Sequence, residues 1–133
     1  MPYRFNKAGE AEVLLITSRT RRRWIIPKGW PIKGLKPAKS AAREAFEEAG
    51  VQGVVSAKPL GRFTYDKEIE DDGSLIACEV TVFALEVHRQ LKDWPEIALR
   101  ETRWVAAKDA AALTDEEGLR PLLEAFAKSV ARP

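Results

Sequence analysis

Apolar positions fall along the chain in short runs divided by polar segments rich in glycine and proline. Residues 12–17 (EVLLIT) form an apolar run too short for a helix and predict a buried strand. Residues 24–26 are a second short run, stopped by Pro27. Residues 28–37 hold two glycines and two prolines and predict a loop. Residues 37–49 predict a helix: proline is tolerated in a first turn, and Gly50 supplies the stop. Lys36 is a poor N-cap, so the start is marked less sharply than the end. Residues 51–55 and 60–65 predict strands, and Asp71-Asp72-Gly73-Ser74 a turn. Residues 75–87 are a long run rich in β-branched side chains and predict one strand, paired with its predecessor as a hairpin. Residues 104–105 add a short strand and residues 107–113 a short helix. A final helix opens near Leu119, with Leu119, Leu122, Leu123, Phe126 and Val130 on one face. No internal repeat or linker interrupts this order, which predicts a single α/β (α+β) domain over residues 1–133 with a mixed sheet.

Composition narrows the chemistry. The 133 residues are 45% apolar and 32% charged, as in a globular protein. With one cysteine and one histidine, neither an intramolecular disulfide nor a Cys/His zinc site can form. The lone His88, at the end of a predicted strand, is expected at the surface, and Cys78 in the core. No stretch reaches the roughly 20 apolar residues of a membrane span, and the first twelve residues are too polar for a secretory signal. The expectation is a cytoplasmic protein with no membrane partner. Catalysis, if present, must come from carboxylates, lysines, arginines or a bound metal.

The net charge of +2 hides an asymmetry. Arg19, Arg21, Arg22, Arg23, Lys28, Lys33, Lys36 and Lys39 fall in one window that contains no acid. The rest of the chain carries 14 bases against 20 acids. A basic block in an otherwise acidic chain calls for a polyanion, either nucleic acid or a small polyphosphate. Lys28, Arg19 and Lys33 are the candidate phosphate contacts.

The helix after this block carries Arg43-Glu44-Ala45-Phe46-Glu47-Glu48-Ala49-Gly50-Val51. At about 100° per residue, Glu44, Glu47 and Glu48 share one face with Arg43 at its edge. Ala42, Ala45, Phe46 and Ala49 fall opposite and suit close packing on a sheet. Like-charged neighbours on one face repel. Arg43 relieves part of this through Glu47 at i+4, and a divalent cation would relieve far more. Oxygen ligands suit Mg²⁺ or Mn²⁺. A metal beside a cationic loop can polarise a phosphoryl group and activate water.

These residues resemble the Nudix hydrolase box, G-x5-E-x7-R-E-U-x-E-E-x-G-U, where U is a bulky apolar residue. The spacing from Gly29 to Val51 holds over 23 positions. Two positions depart: Ala45 is a small residue at an apolar position, and Leu35 replaces the first glutamate. The resemblance implies a Nudix-type α/β/α sandwich and metal-dependent hydrolysis of a phosphoanhydride. It implies Glu44 and Glu48 as ligands of Mg²⁺ (or Mn²⁺), Glu47 as the base, and Gly29 offering its carbonyl to the metal. Arg43 either orients a glutamate or is a plain surface pair. Glu101, three residues before Trp104, resembles an extra loop ligand of some Nudix enzymes. Trp24-Ile25-Ile26-Pro27-Lys28-Gly29 and Leu91-Lys92-Asp93-Trp94 are similar to the diphosphoinositol polyphosphate phosphohydrolase branch, which cleaves inositol pyrophosphates and diadenosine polyphosphates. The implied partner is thus a small anionic polyphosphate, with no stable nucleic-acid partner. ADP-ribose, nucleoside triphosphates or RNA 5′ ends are alternative substrates, and Leu35 motivates a non-catalytic nucleotide sensor. Specificity is expected in the loops around residues 19–23 and 68–74. Trp30, in a polar loop, is the aromatic best suited to stack on a base.

Overall fold

The computed structural model describes residues 1–68 and 73–130. Its centre is strand β2 (Ala11–Thr17), whose side chains from Val13 to Ile16 are all fully buried. Successive strand residues point to opposite faces. Accordingly Val13 and Leu15 join one core cluster while Leu14 and Ile16 join another. Burial of four such side chains stabilises the fold by roughly 1.5–3 kcal/mol each. A strand buried on both sides needs a layer on each face, and the helices supply them.

Six strands make the main sheet. On one edge of β2 lie β1 (Pro2–Phe5), paired from Tyr3 with Val13 to Phe5 with Ala11, and β3 (Trp24–Ile25), paired at Ile16 and Thr17. The other edge is taken by β8 (Thr102–Ala106), antiparallel from Glu12 to Ile16. β7 (Leu85–Gln90) runs parallel to β1 and antiparallel to β4 (Val51–Val55). One parallel pair among antiparallel ones makes the sheet mixed, as expected. The remaining strands, β5 (Gly61–Glu68) and β6 (Leu75–Val82), form a separate antiparallel hairpin in register from Gly61 with Val82 to Glu68 with Leu75. Two residues of the anticipated turn, Asp71 and Asp72, lie outside the described residues. Gly73 takes a positive φ of 73°.

Helix α1 (Pro37–Ala49) covers one face through Ala45 and Ala49 against Leu14, Ile16, Val51 and Leu85. Helices α2 (Ala107–Leu113) and α3 (Arg120–Ser129) cover the other, with Ala110, Leu123 and Phe126 buried. A single 3₁₀ turn, Glu117–Leu119, precedes α3. The result is the expected α/β/α arrangement.

One expectation is corrected, and one strand was not anticipated. Residues 75–87 are not one strand: the run breaks at Phe83-Ala84 into β6 and β7, which belong to different sheets. Both halves are rich in strand-forming residues, so the break has no local signal. β1 is a strand although its segment carries no apolar run of its own. Its pairing with β2 and β7 and the packing of Tyr3 on Phe126, with ring centroids 5.1 Å apart, hold it there. The expected positions of two other residues are met: Cys78 is buried, and His88 is exposed with its ring Nε2 3.1 Å from Glu86.

Candidate active site

Three segments meet around the acidic end of α1. The first is α1 itself, which ends at Gly50 in the left-handed conformation (φ 70°) with its N–H donating to Phe46 O. The second is the loop before α1, where Gly29 lies so close that an added Cβ would sit 2.5 Å from the Glu44 carboxyl carbon. The third is the connection from β7 to β8. It closes the open carbonyls at the C-terminus of α1: Glu96 N–H donates to Glu47 O at 3.0 Å, and Leu91 N–H to Gly50 O at 2.8 Å. Trp94 packs where a side chain at position 50 would otherwise be, so Gly50 is required twice over, by φ and by space.

Under this third segment Glu48 is only 2% exposed. Helical spacing puts it on the polar face, and tertiary packing covers that part of the face. Arg100 reaches in with Nη2 3.5 Å from Glu48 Oε1, Nε 3.1 Å from Glu96 Oε1 and Nη1 3.1 Å from Thr17 O. Burial pushes the Glu48 carboxyl up to about 8, opposed by Arg100, while a hydrogen bond with Glu44 and the charges of Glu44 and Glu96 add to the rise. Its buried Oε1 is ion-paired to Arg100 but has no hydrogen-bond partner. A buried carboxylate oxygen left without a donor is unfavourable. Arg100 balances its charge without a hydrogen bond, and a divalent cation shared with Glu44 would complete its coordination.

These residues fit a divalent metal in their donor chemistry. Glu44 and Glu48 are neighbouring carboxyl groups, and Gly29 brings backbone against Glu44. Oxygen-only donors select hard cations such as Mg²⁺ or Mn²⁺. Among the described residues, no three or more histidine, cysteine, aspartate or glutamate side chains converge in one cluster. Glu44 and Glu48 are the two carboxyl groups in hydrogen-bond contact here.

The other anticipated residues are distributed differently. Arg43 Nε is 3.0 Å from Glu47 Oε1, the i+4 pair. Leu35 is exposed and lines a groove of about 460 Å³ on the outer flank of α1, together with Lys39 and Arg43; none of Glu44, Glu47 and Glu48 lines it. The lost glutamate position thus lies on Arg43's side of the helix. Glu101 has its side chain 69% exposed and 3.8 Å from Arg22, while its backbone N–H donates to Thr17 Oγ1. Arg19 and Lys33 are exposed. Lys28 is not: its side chain is 11% exposed, with Nζ 2.6 Å from Glu116 Oε2 and 4.7 Å from the centre of the Tyr65 ring. Lys28, Gly29, Glu44 and Ser40 line a cleft of about 210 Å³ with Glu79 and Thr81 of β6.

Glu96, Arg100 and Glu116 were not anticipated. Glu96 and Arg100 stand at i,i+4, a spacing visible in the sequence, yet nothing local shows that the half-buried pair closes over the end of α1 against Glu48. Glu116 also fixes the free edge of β3, accepting from Ile26 N–H at 3.1 Å, as Asp115 does from Trp24 N–H at 2.8 Å.

The family model described as NUDIX domain matches residues 3–126. Among curated relatives, the chain is 36% identical over 140 residues to "Nudix hydrolase 12, mitochondrial" of Arabidopsis thaliana, covering 95% of this chain and 69% of that one. It is 37% identical over 124 residues to "Nudix hydrolase 13, mitochondrial" of the same plant, covering 90% and 61%. A third, "Diphosphoinositol polyphosphate phosphohydrolase 3-beta" of Bos taurus, is 34% identical over 109 residues, covering 80% and 62%. The chain thus spans about two thirds of the length of these relatives. A solved structure of an Ap4A hydrolase from C. elegans superposes with a TM-score of 0.67 at 24% identity, covering 96% of this chain and 90% of that one. No helix among the described residues is long and apolar enough to cross a membrane.

Proposed function

The chain belongs to the Nudix hydrolase family, and from that premise we propose that it hydrolyses a phosphoanhydride bond in a small, highly anionic substrate, a diadenosine polyphosphate or an inositol pyrophosphate. The observation that carries this is the buried Glu48 carboxyl, hydrogen-bonded with Glu44 and ion-paired but not hydrogen-bonded to Arg100 through Oε1, with Gly29 packed against Glu44. That pair would hold Mg²⁺ or Mn²⁺, which supplies Lewis-acid polarisation of phosphoryl oxygen and a more acidic water.

The chain's own residues do the rest. Glu47 takes the proton of the attacking water and is held by Arg43 through the 3.0 Å pair. The new bond joins water oxygen to phosphorus, and the bridging oxygen leaves with the electron pair of the broken anhydride bond. Two phosphorylated fragments result. Arg19 and Lys33, exposed in the basic block, supply charge for the substrate's remaining phosphates. Lys28, neutralised by Glu116, acts on the cleft mainly through the loop it fixes. Leu35 shares a groove with Arg43 that none of Glu44, Glu47 and Glu48 lines, which supports retained catalysis over a degenerate sensor: the departure spares the two carboxylates. Arg43 takes Glu47 as its partner.

The test is product release from diadenosine polyphosphates, an inositol pyrophosphate, ADP-ribose, nucleoside triphosphates and 5′-triphosphorylated RNA, with Mg²⁺ and with Mn²⁺. Turnover is expected only with metal, and Glu47→Gln is expected to lower it by roughly 10²-fold or more, the usual worth of a positioned base. Folded protein inactive on every member, or active in chelator, would overturn the proposal.

A second expectation concerns Gly29. In Gly29→Ala the new Cβ displaces the Glu44 carboxyl group, the end of a flexible side chain that can swing away at little cost to the fold. The melting temperature should barely move, while Mn²⁺ affinity falls by roughly tenfold, the cost of disturbing a ligand's support. Titration of Mn²⁺ followed by electron paramagnetic resonance checks this; unchanged affinity would remove Glu44 from the metal site.

A further inference from the structure

Trp30 follows Gly29 directly, so its backbone is one residue from the point where the loop touches Glu44. Of the large apolar residues described, it is the most exposed, at 63%. An indole in water forgoes the burial that tryptophan usually achieves. It is also held in place. Pro27 and Pro31 restrict the backbone on either side, and Lys67 of β5 sets its ammonium 4.9 Å from the ring centre. The cation orders the ring and places positive charge beside it.

We propose that Trp30, backed by Lys67, is a platform for a nucleobase, so that the site prefers a nucleotide-bearing phosphoanhydride over a base-free inositol pyrophosphate. This rests on the hydrolase reading above and decides between its two substrate classes. Both classes carry the dense negative charge that the basic block and a metal recognise, so charge cannot separate them. Only one carries a flat π-face. Stacking on an exposed aromatic ring rewards any base and gives an inositol ring nothing comparable. Gly29 and Pro31, on either side of Trp30 in the chain, line the same cleft as Glu44.

The test measures kcat and KM for diadenosine tetraphosphate and for an inositol pyrophosphate with wild type, Trp30→Ala and Trp30→Phe. Trp30→Ala is expected to raise KM for the dinucleotide by roughly tenfold, the ordinary worth of one stacked base. The ratio of kcat/KM between the two substrates should fall by the same factor. Trp30→Phe, which keeps a π-face, should recover most of the loss. Equal changes for both substrates, or none for either, would overturn the platform. If wild type hydrolyses neither, the hydrolase reading has failed, and calorimetric binding of ADP decides the platform alone. Affinity weakened roughly tenfold in Trp30→Ala would support it; equal binding by both proteins, or none by wild type, would overturn it.

Discussion

Glu48→Gln is expected to lower turnover by roughly 10²-fold or more while the metal-free protein at pH 8 becomes no less stable than wild type. The activity loss follows from removing one of two carboxylates that hold a Lewis acid worth several kcal/mol to the transition state. The stability result follows from the same carboxylate's burial. Its pKa is raised from the ordinary carboxylate range to about 8, mainly by desolvation. Between about pH 4.5 and 8 the folded chain therefore keeps a proton there that the unfolded chain releases. Stability from this group is fully present below the unfolded pKa and is lost as pH rises through about 8. The penalty at high pH is on the order of a few kcal/mol. Glutamine cannot ionise, so it removes the penalty and fills the same space. Thermal melts at pH 5.5 and 8.5 in chelator should show a larger pH-dependent fall for wild type than for Glu48→Gln. Parallel melts would mean that the carboxyl is not buried in its charged form. Unchanged turnover would take Glu48 out of the site. Arg100 keeps Glu96 as a partner in the variant, so its own charge is not stranded.

Lys28→Ala is expected to be the most damaging single change to the fold among the charged residues around the site. Lys28 and Glu116 are both nearly buried and 2.6 Å apart. Removing one member of a buried pair strands the other's charge, at about 3–5 kcal/mol. In a domain of this size that is a fall in melting temperature of roughly 10 °C or more. Lys28→Met combined with Glu116→Gln should recover most of it. Methionine replaces the apolar stem, and glutamine keeps an acceptor for Ile26 N–H, which now bonds Glu116 Oε1. Thermal unfolding of the single and double variants checks this. A single variant as stable as wild type would show that the pair is solvated in solution. The double variant failing to recover would place the loss in packing around the Lys28 stem over Tyr65.

The two results share a cause. The site is built from groups whose partners arrive from far along the chain, and its loops are held by the same contacts. Lys28 anchors the loop that carries Gly29 and Trp30. Arg100 and Glu96 close over the end of α1. A change at Lys28 therefore reaches the cleft through the backbone, with no direct contact to substrate required.

Much of this architecture was legible in the sequence because its causes are local. Residues 37–49 form a helix between the proline and glycine that marked its ends. The central strand and the helix of residues 107–113 follow from short apolar runs and their punctuation. The hairpin of β5 and β6 follows from two strand-forming runs around a turn signal. The box spacing from Gly29 to Val51 identified the family, and helical geometry put its three glutamates near one another. What local pattern could not supply was the difference among those glutamates. Glu47 pairs with Arg43 at the surface, whereas Glu48 is buried under a segment some fifty residues later. The break of residues 75–87 into two strands of separate sheets was equally invisible, since both halves have the same strand-forming composition. β1 is a strand because β2 and β7 flank it. Arg100 bonds Thr17 O across 83 residues, and Glu116 bonds Ile26 N–H across 90. Spacing along a chain fixes which residues share a helix face. Burial, and with it the charge state and partner of each carboxylate, is decided only when distant segments pack, because the medium around a group belongs to its neighbours in space.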